Sequence, residues 1–110
     1  MSHTPAANRR RYERIDLTQS RWLACHTVGE GQHLDGAVSV ISSGGMFIRS
    51  SRIHPIGTRL EVKMRNIADV VEADCVVRNH VSDGFGVEFV EIRPKFRDNL
   101  ERILSRLRTA

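Results

Sequence analysis

The chain has 110 residues, 40% of them hydrophobic and 27% charged, which describes one folded domain and excludes a disordered chain or most two-domain enzymes. No apolar run approaches the roughly 20 residues of a membrane span, and the opening residues lack the apolar stretch of a signal peptide. The formal net charge is +4, and of the 17 basic residues only Lys63 and Lys95 are lysine.

In chain order, residues 1–8 are small and polar and read as a disordered tail. Residues 9–16, Arg-Arg-Arg-Tyr-Glu-Arg-Ile-Asp, form a basic arm with too little apolar content to fold alone. From about residue 20 to 91 the signal is β. Residues 21–28 are β-rich and end at a turn, Gly29-Glu30-Gly31. Residues 35–42 form a second run, punctuated by Ser43-Gly44-Gly45, and residues 46–49 resume it. After a turn at His54-Pro55-Ile56-Gly57, Leu60, Val62 and Met64 alternate with charged residues, the pattern of a half-buried strand. Residues 70–78 give another strand, with Ala73, Cys75 and Val77 on one face. A turn at residues 81–84 precedes alternating Phe85, Val87 and Phe89. Several short strands at this spacing predict a small closed β-barrel.

The period then changes. Pro94 stands at a helix N1 position, and Phe96, Leu100, Ile103, Leu104 and Leu107 recur on one helical face over residues 94–108. Docked on the barrel, those five side chains contribute roughly 7–15 kcal/mol of gross burial, most of it offset by ordering entropy. Asp98 and Arg102 form an i,i+4 pair, and Arg97, Arg102, Arg106 and Arg108 read as a solvated face.

Little in the sequence points to catalysis. The five histidines lack metal-ligand spacing, no serine sits in a GxSxG elbow, and no phosphate loop of the GxGxxG or GxxxxGK[ST] type occurs. Neither an enzyme nor a metal or cofactor site is expected. Cys25 and Cys75 lie in apolar segments and read as buried free thiols of a reducing compartment. The arginine bias points to a phosphate or nucleotide partner, because the guanidinium fork matches phosphate and the guanine edge. A GC-rich genome produces the same bias.

Three segments are more specific together. Arg10-Arg11-Tyr12-Glu13-Arg14 has the form RRxxR, Ser42 to Gly45 has the form SxxG, and Gly86-Val87-Glu88-Phe89 closes the β region before the helix. In this order they resemble the PilZ domain, a bacterial family of cyclic di-GMP receptors, over residues 10–107. The resemblance implies a mainly β fold, a six-stranded antiparallel barrel with a C-terminal helix, and a single domain over residues 9–110. It also implies a cytoplasmic receptor that binds cyclic di-GMP and acts through an effector protein, with no membrane insertion, as a monomer or weak dimer. By position, Arg10, Arg11, Arg14, Ser42 and Gly45 are the ligand-binding candidates, and Arg9, Val40, Arg49 and Arg78 are secondary ones.

The family's second motif is (D/N)xSxxG, and this chain departs from it with Val40 in place of the acid or amide. Valine accepts no hydrogen bond, and losing a bidentate base contact costs roughly 1–3 kcal/mol, or about 5- to 150-fold in affinity. Each candidate also has a plainer reading. The arginines form a solvated basic arm, Ser42 and Gly45 serve a turn, Val40 packs in the barrel, and Arg49 and Arg78 are solvated strand positions. Three functions follow: a receptor with weakened affinity, an adaptor that no longer binds the nucleotide, or a small basic barrel for nucleic acid. Nucleic acid ranks last, since aromatic residues are 5% and no strand offers stacking aromatics.

Overall fold

The computed structural model describes residues 13–109. The expected tail over residues 1–8, and Arg9, Arg10 and Arg11 of the basic arm, lie outside the described residues.

A short strand β1 (Ile15–Asp16) leads through a 3-10 turn into β2 (Leu23–Gly29). Then come β3 (Gln32–Ile41), β4 (Gly45–Arg49), β5 (Arg59–Asn66), β6 (Asp69–Val81), β7 (Gly84–Glu91) and helix α1 (Pro94–Thr109). The strands are antiparallel neighbours in the order β3–β2–β5–β6–β7–β4, and β4 pairs back onto β3. That last pairing closes the six-stranded barrel that the strand spacing predicted. β1 stands outside the circuit. Ile15 and Asp16 pair with Ile41 and Val40, beyond the point where β2 leaves β3. The arm expected to be flexible over residues 9–16 is therefore held at its inner end.

Alternation decides what each strand buries. Leu60, Val62 and Met64 of β5 and Val71, Ala73, Cys75 and Val77 of β6 all point into the core, while Glu61, Lys63, Glu72 and Asp74 face outward. Cys25 and Cys75 are free and buried, and burial pushes both thiols up to about 12. Thiolate chemistry is closed to them near neutral pH.

The β2–β3 hairpin turns through Glu30 and Gly31, both at positive φ, the requirement of a two-residue type I′ turn. The turn at residues 54–57 holds a surprise. His54 is 1% exposed, sits edge-on to the Phe85 ring, and places Nε2 2.9 Å from the Thr27 hydroxyl. It belongs to the core and not to the surface. Trp22 sits at the rim, half-buried, its indole donating to the Leu17 carbonyl at 3.0 Å.

Helix α1 packs mainly against β6. Phe96, Leu100, Ile103 and Leu104 join the core, and Leu107 packs against it, which is the apolar face read from the sequence. The helix arginines differ from expectation. Arg102 and Arg106 both bind the Asp69 carboxylate at the start of β6, at 3.3 and 2.9 Å, so they fasten the helix instead of forming a solvated face. Arg102 also bonds Asn99, which displaces the expected pairing with Asp98.

Candidate functional site

An open pocket of about 650 Å³ lies on the outer wall where β3, β4, β7 and β6 run side by side. Two bulges build it. In β3, Val38 stands opposite Ile48 and Val40 opposite Phe47, so Ser39 is an extra residue. Strict alternation would send Val38 and Val40 to one face. The bulge instead buries Val38 and Ile41 together and turns Val40 out, half-buried, onto the pocket. In β6, Val77 opposes Val87 and Asn79 opposes Gly86, leaving Arg78 extra. Two successive side chains, Arg78 and Asn79, thereby line the same cavity.

The β3–β4 turn forms its rim. The Ser42 hydroxyl accepts from the backbone N–H groups of Gly44 and Gly45 at 3.1 and 3.2 Å, and the Ser42 N–H donates to the Gly45 carbonyl at 3.0 Å. That is turn chemistry, and it also fixes the hydroxyl at the pocket wall. Gly45 is required sterically, since a Cβ there would collide with the Val87 carbonyl of β7. The close approach of β4 and β7 leaves a floor with no side chain at that point.

Among the described residues three cations line the cavity: Arg14, Arg78 and Arg97. Arg14 Nη2 lies 3.9 Å from Asp16 in a solvent-exposed pair, which holds it only loosely. Arg78 Nε donates to Glu88 Oε1 at 2.6 Å. Arg97 Nη1 donates to the Ser43 carbonyl at 2.9 Å, and so links the first turn of α1 to the rim. Glu88 is the one carboxylate among the described lining residues. A second depression, about 610 Å³, sits elsewhere on the wall. Its lining carries Glu61, Glu72, Asp74 and Glu91 against Lys63 and Arg93, a balance that repels an anion. Of these two, the pocket at the β3–β4 turn is the better suited to phosphate. Among the described residues no group of three or more metal-ligating side chains comes together.

Of the residues singled out from sequence, the structure gathers Arg14, Val40, Ser42, Gly45 and Arg78 around one cavity. Arg49 is not brought there. It donates to Asp83 at 2.5 Å and to the Ser39 hydroxyl at 3.2 Å, and lies over the Phe47 and Trp22 rings. Sequence reasoning missed Arg97, Asn79 and Glu88. Arg97 did carry a signal. A cation in the first turn of a helix opposes the macrodipole, and this helix has no acid there to offset it. Nothing in composition marks Asn79, whose orientation comes from the bulge.

Fold and pocket together define a small closed antiparallel barrel with an arginine-lined cavity on its wall. The family model for the PilZ domain matches residues 8–106, and the chain belongs to that family. Several solved structures share the fold. The PilZ domain with c-di-GMP of YcgR from Escherichia coli is 20% identical at a TM-score of 0.74, with 92% of each chain covered. The Bacillus subtilis Inhibitor of motility (MotI/DgrA) is 21% identical at 0.71, over 89% of this chain and 50% of that one. The Borreliella burgdorferi PlzA protein in complex with c-di-GMP is 18% identical at 0.66, over 89% and 42%. The chain thus spans half or less of the latter two proteins. No curated protein matches the sequence significantly. No described helix is long and apolar enough to cross a membrane.

Proposed function

We propose that the protein is a cyclic di-GMP receptor that folds its N-terminal arginine arm over the pocket at the β3–β4 turn and signals through a partner protein. The observation that carries this reading is the convergence of Arg14, Ser42, Gly45 and Arg78 on one cavity. Those positions come from separate strands and loops, and a merely solvated arm has no need to meet them. Arg97 adds a third cation to the same lining. Structures of the E. coli and Borreliella relatives hold c-di-GMP, which supports the ligand class. Arg10 and Arg14 are assigned to phosphate and the guanine O6/N7 edge, with Arg11 and Arg9 beside them. Ser42 and Gly45 are assigned to the rim contact.

Calorimetric titration of cyclic di-GMP into wild type, Arg10→Ala, Arg14→Ala and Val40→Asp tests the reading. Each arginine removed is expected to weaken binding about 10-fold or more, the worth of a charge-assisted bond. Val40→Asp is expected to tighten it, within the 5- to 150-fold range of one base contact (roughly 1–3 kcal/mol). Arginine variants that bind like wild type would count against the site.

The outward, half-buried placement of Val40 favours a second reading, an adaptor that has lost the ligand. Wild type silent at about 100 μM, with binding gained by Val40→Asp, would select it.

A further inference from the structure

Guanine is distinguished from adenine by the N1–H and N2–H₂ donors on its pairing edge. A carboxylate that accepts from both reads that edge, and the same carboxylate repels the lone pair at adenine N1. The family motif places an acid or amide at position 40, and Val40 accepts nothing. The pocket nevertheless holds a carboxylate. Glu88 projects from the outer face of β7, in register with Gly45 of β4, and lines the pocket. It is 53% exposed, and Arg78 Nε binds its Oε1 at 2.6 Å. Arg78 is itself aimed by the β6 bulge. A carboxylate offers about four acceptor sites, and this bond takes one, so the group is oriented without being used up.

We propose that Glu88 is the guanine-reading residue of this protein, held in position by Arg78, so that base specificity resides on β7 instead of β3. The proposal rests on the cyclic di-GMP reading and adds to it the residue that chooses the base.

The plainer account is a cross-strand ion pair that touches no ligand. The two accounts predict opposite signs. If Glu88 makes no base contact, removing its negative charge strengthens the binding of any cyclic dinucleotide, because both phosphates feel a less negative pocket. If Glu88 reads guanine, Glu88→Leu, which removes the acceptor along with the charge, weakens cyclic di-GMP alone.

The experiment is calorimetric titration of wild type and Glu88→Leu with cyclic di-GMP and with cyclic di-AMP, with melting temperatures recorded for both proteins. Wild type is expected to prefer cyclic di-GMP. Glu88→Leu is expected to lose about 5- to 150-fold toward cyclic di-GMP, with cyclic di-AMP unchanged or slightly tighter and the melting temperature preserved. A variant that shifts both ligands alike, or leaves cyclic di-GMP unchanged, overturns the assignment of Glu88 while the receptor reading stands. Equal affinity of wild type for both dinucleotides also overturns it. Wild type that binds neither overturns the receptor reading and this assignment with it.

Discussion

His54 shows how much a single side chain departs from its sequence context. The run His-Pro-Ile-Gly reads as a surface turn, and the peptide does turn there. Yet the imidazole is enclosed between Thr27 and Phe85. Burial, ahead of the opposing pull of Glu30, lowers its pKa below 6.5. A histidine whose folded pKa is depressed is neutral in the fold and takes up a proton on unfolding. Its contribution is fully present above about 6.5 and is lost as pH falls from there toward the folded pKa. The urea midpoint is therefore expected to drop between about pH 7.5 and pH 5, and the drop should shrink in His54→Phe. An identical pH profile in the two proteins would place the titration elsewhere. The pocket makes the same point from the other side. Val40 and Ile41 are adjacent apolar residues in a stretch, Val-Ser-Val-Ile, that alternation reads in two registers. One extra residue at Ser39 decides which of them enters the core.

At the scale of elements, the helix is the clearest case of partial legibility. Its apolar face was evident because Phe96, Leu100, Ile103 and Leu104 recur at helical spacing, and that periodicity survives any tertiary context. Its cationic face was misread because the partner that gives it meaning, Asp69, lies about thirty residues upstream at the mouth of another strand. Asp69 is 9% exposed in its side chain and receives both Arg102 and Arg106. Next to it, Asn99 Nδ2 donates to the Val70 carbonyl at 2.8 Å. Asp69→Ala is expected to cost about 1–3 kcal/mol in a urea unfolding curve, the usual range for leaving buried or charged hydrogen-bonding groups without their partner. Arg102→Ala should cost less, since Arg106 keeps its bond. Equal costs would mean that the arginines act through their stems and not through the carboxylate. The strands were legible as elements for a related reason: alternation marks a half-buried surface wherever it falls. The bulges at Ser39 and Arg78 were not, because an inserted residue carries no composition of its own.

For the whole molecule, the balance of charge bears on binding. A chain of net charge +4, with Arg14, Arg78 and Arg97 gathered at one cavity, presents a positive field to a doubly charged nucleotide. The affinity for cyclic di-GMP is expected to fall at least about threefold between roughly 50 and 500 mM salt, where the Debye length shrinks well below the width of the pocket. Arg14→Ala should flatten that dependence. A Kd indifferent to salt would mean that the phosphates are not what these arginines meet. The closure of β4 onto β3 reaches further. Among the described residues it gives each of the six barrel strands neighbours on both sides over part of its length and leaves only short one-sided stretches at the ends, such as residues 32–36 of β3, which pair with β2 alone. A partner that recruits by laying down a new strand would find only a few residues to pair with. On the proposed receptor reading, a partner therefore takes most of its contacts from side chains on the barrel wall and helix. Most determinants of that recognition are then open to substitution, one residue at a time.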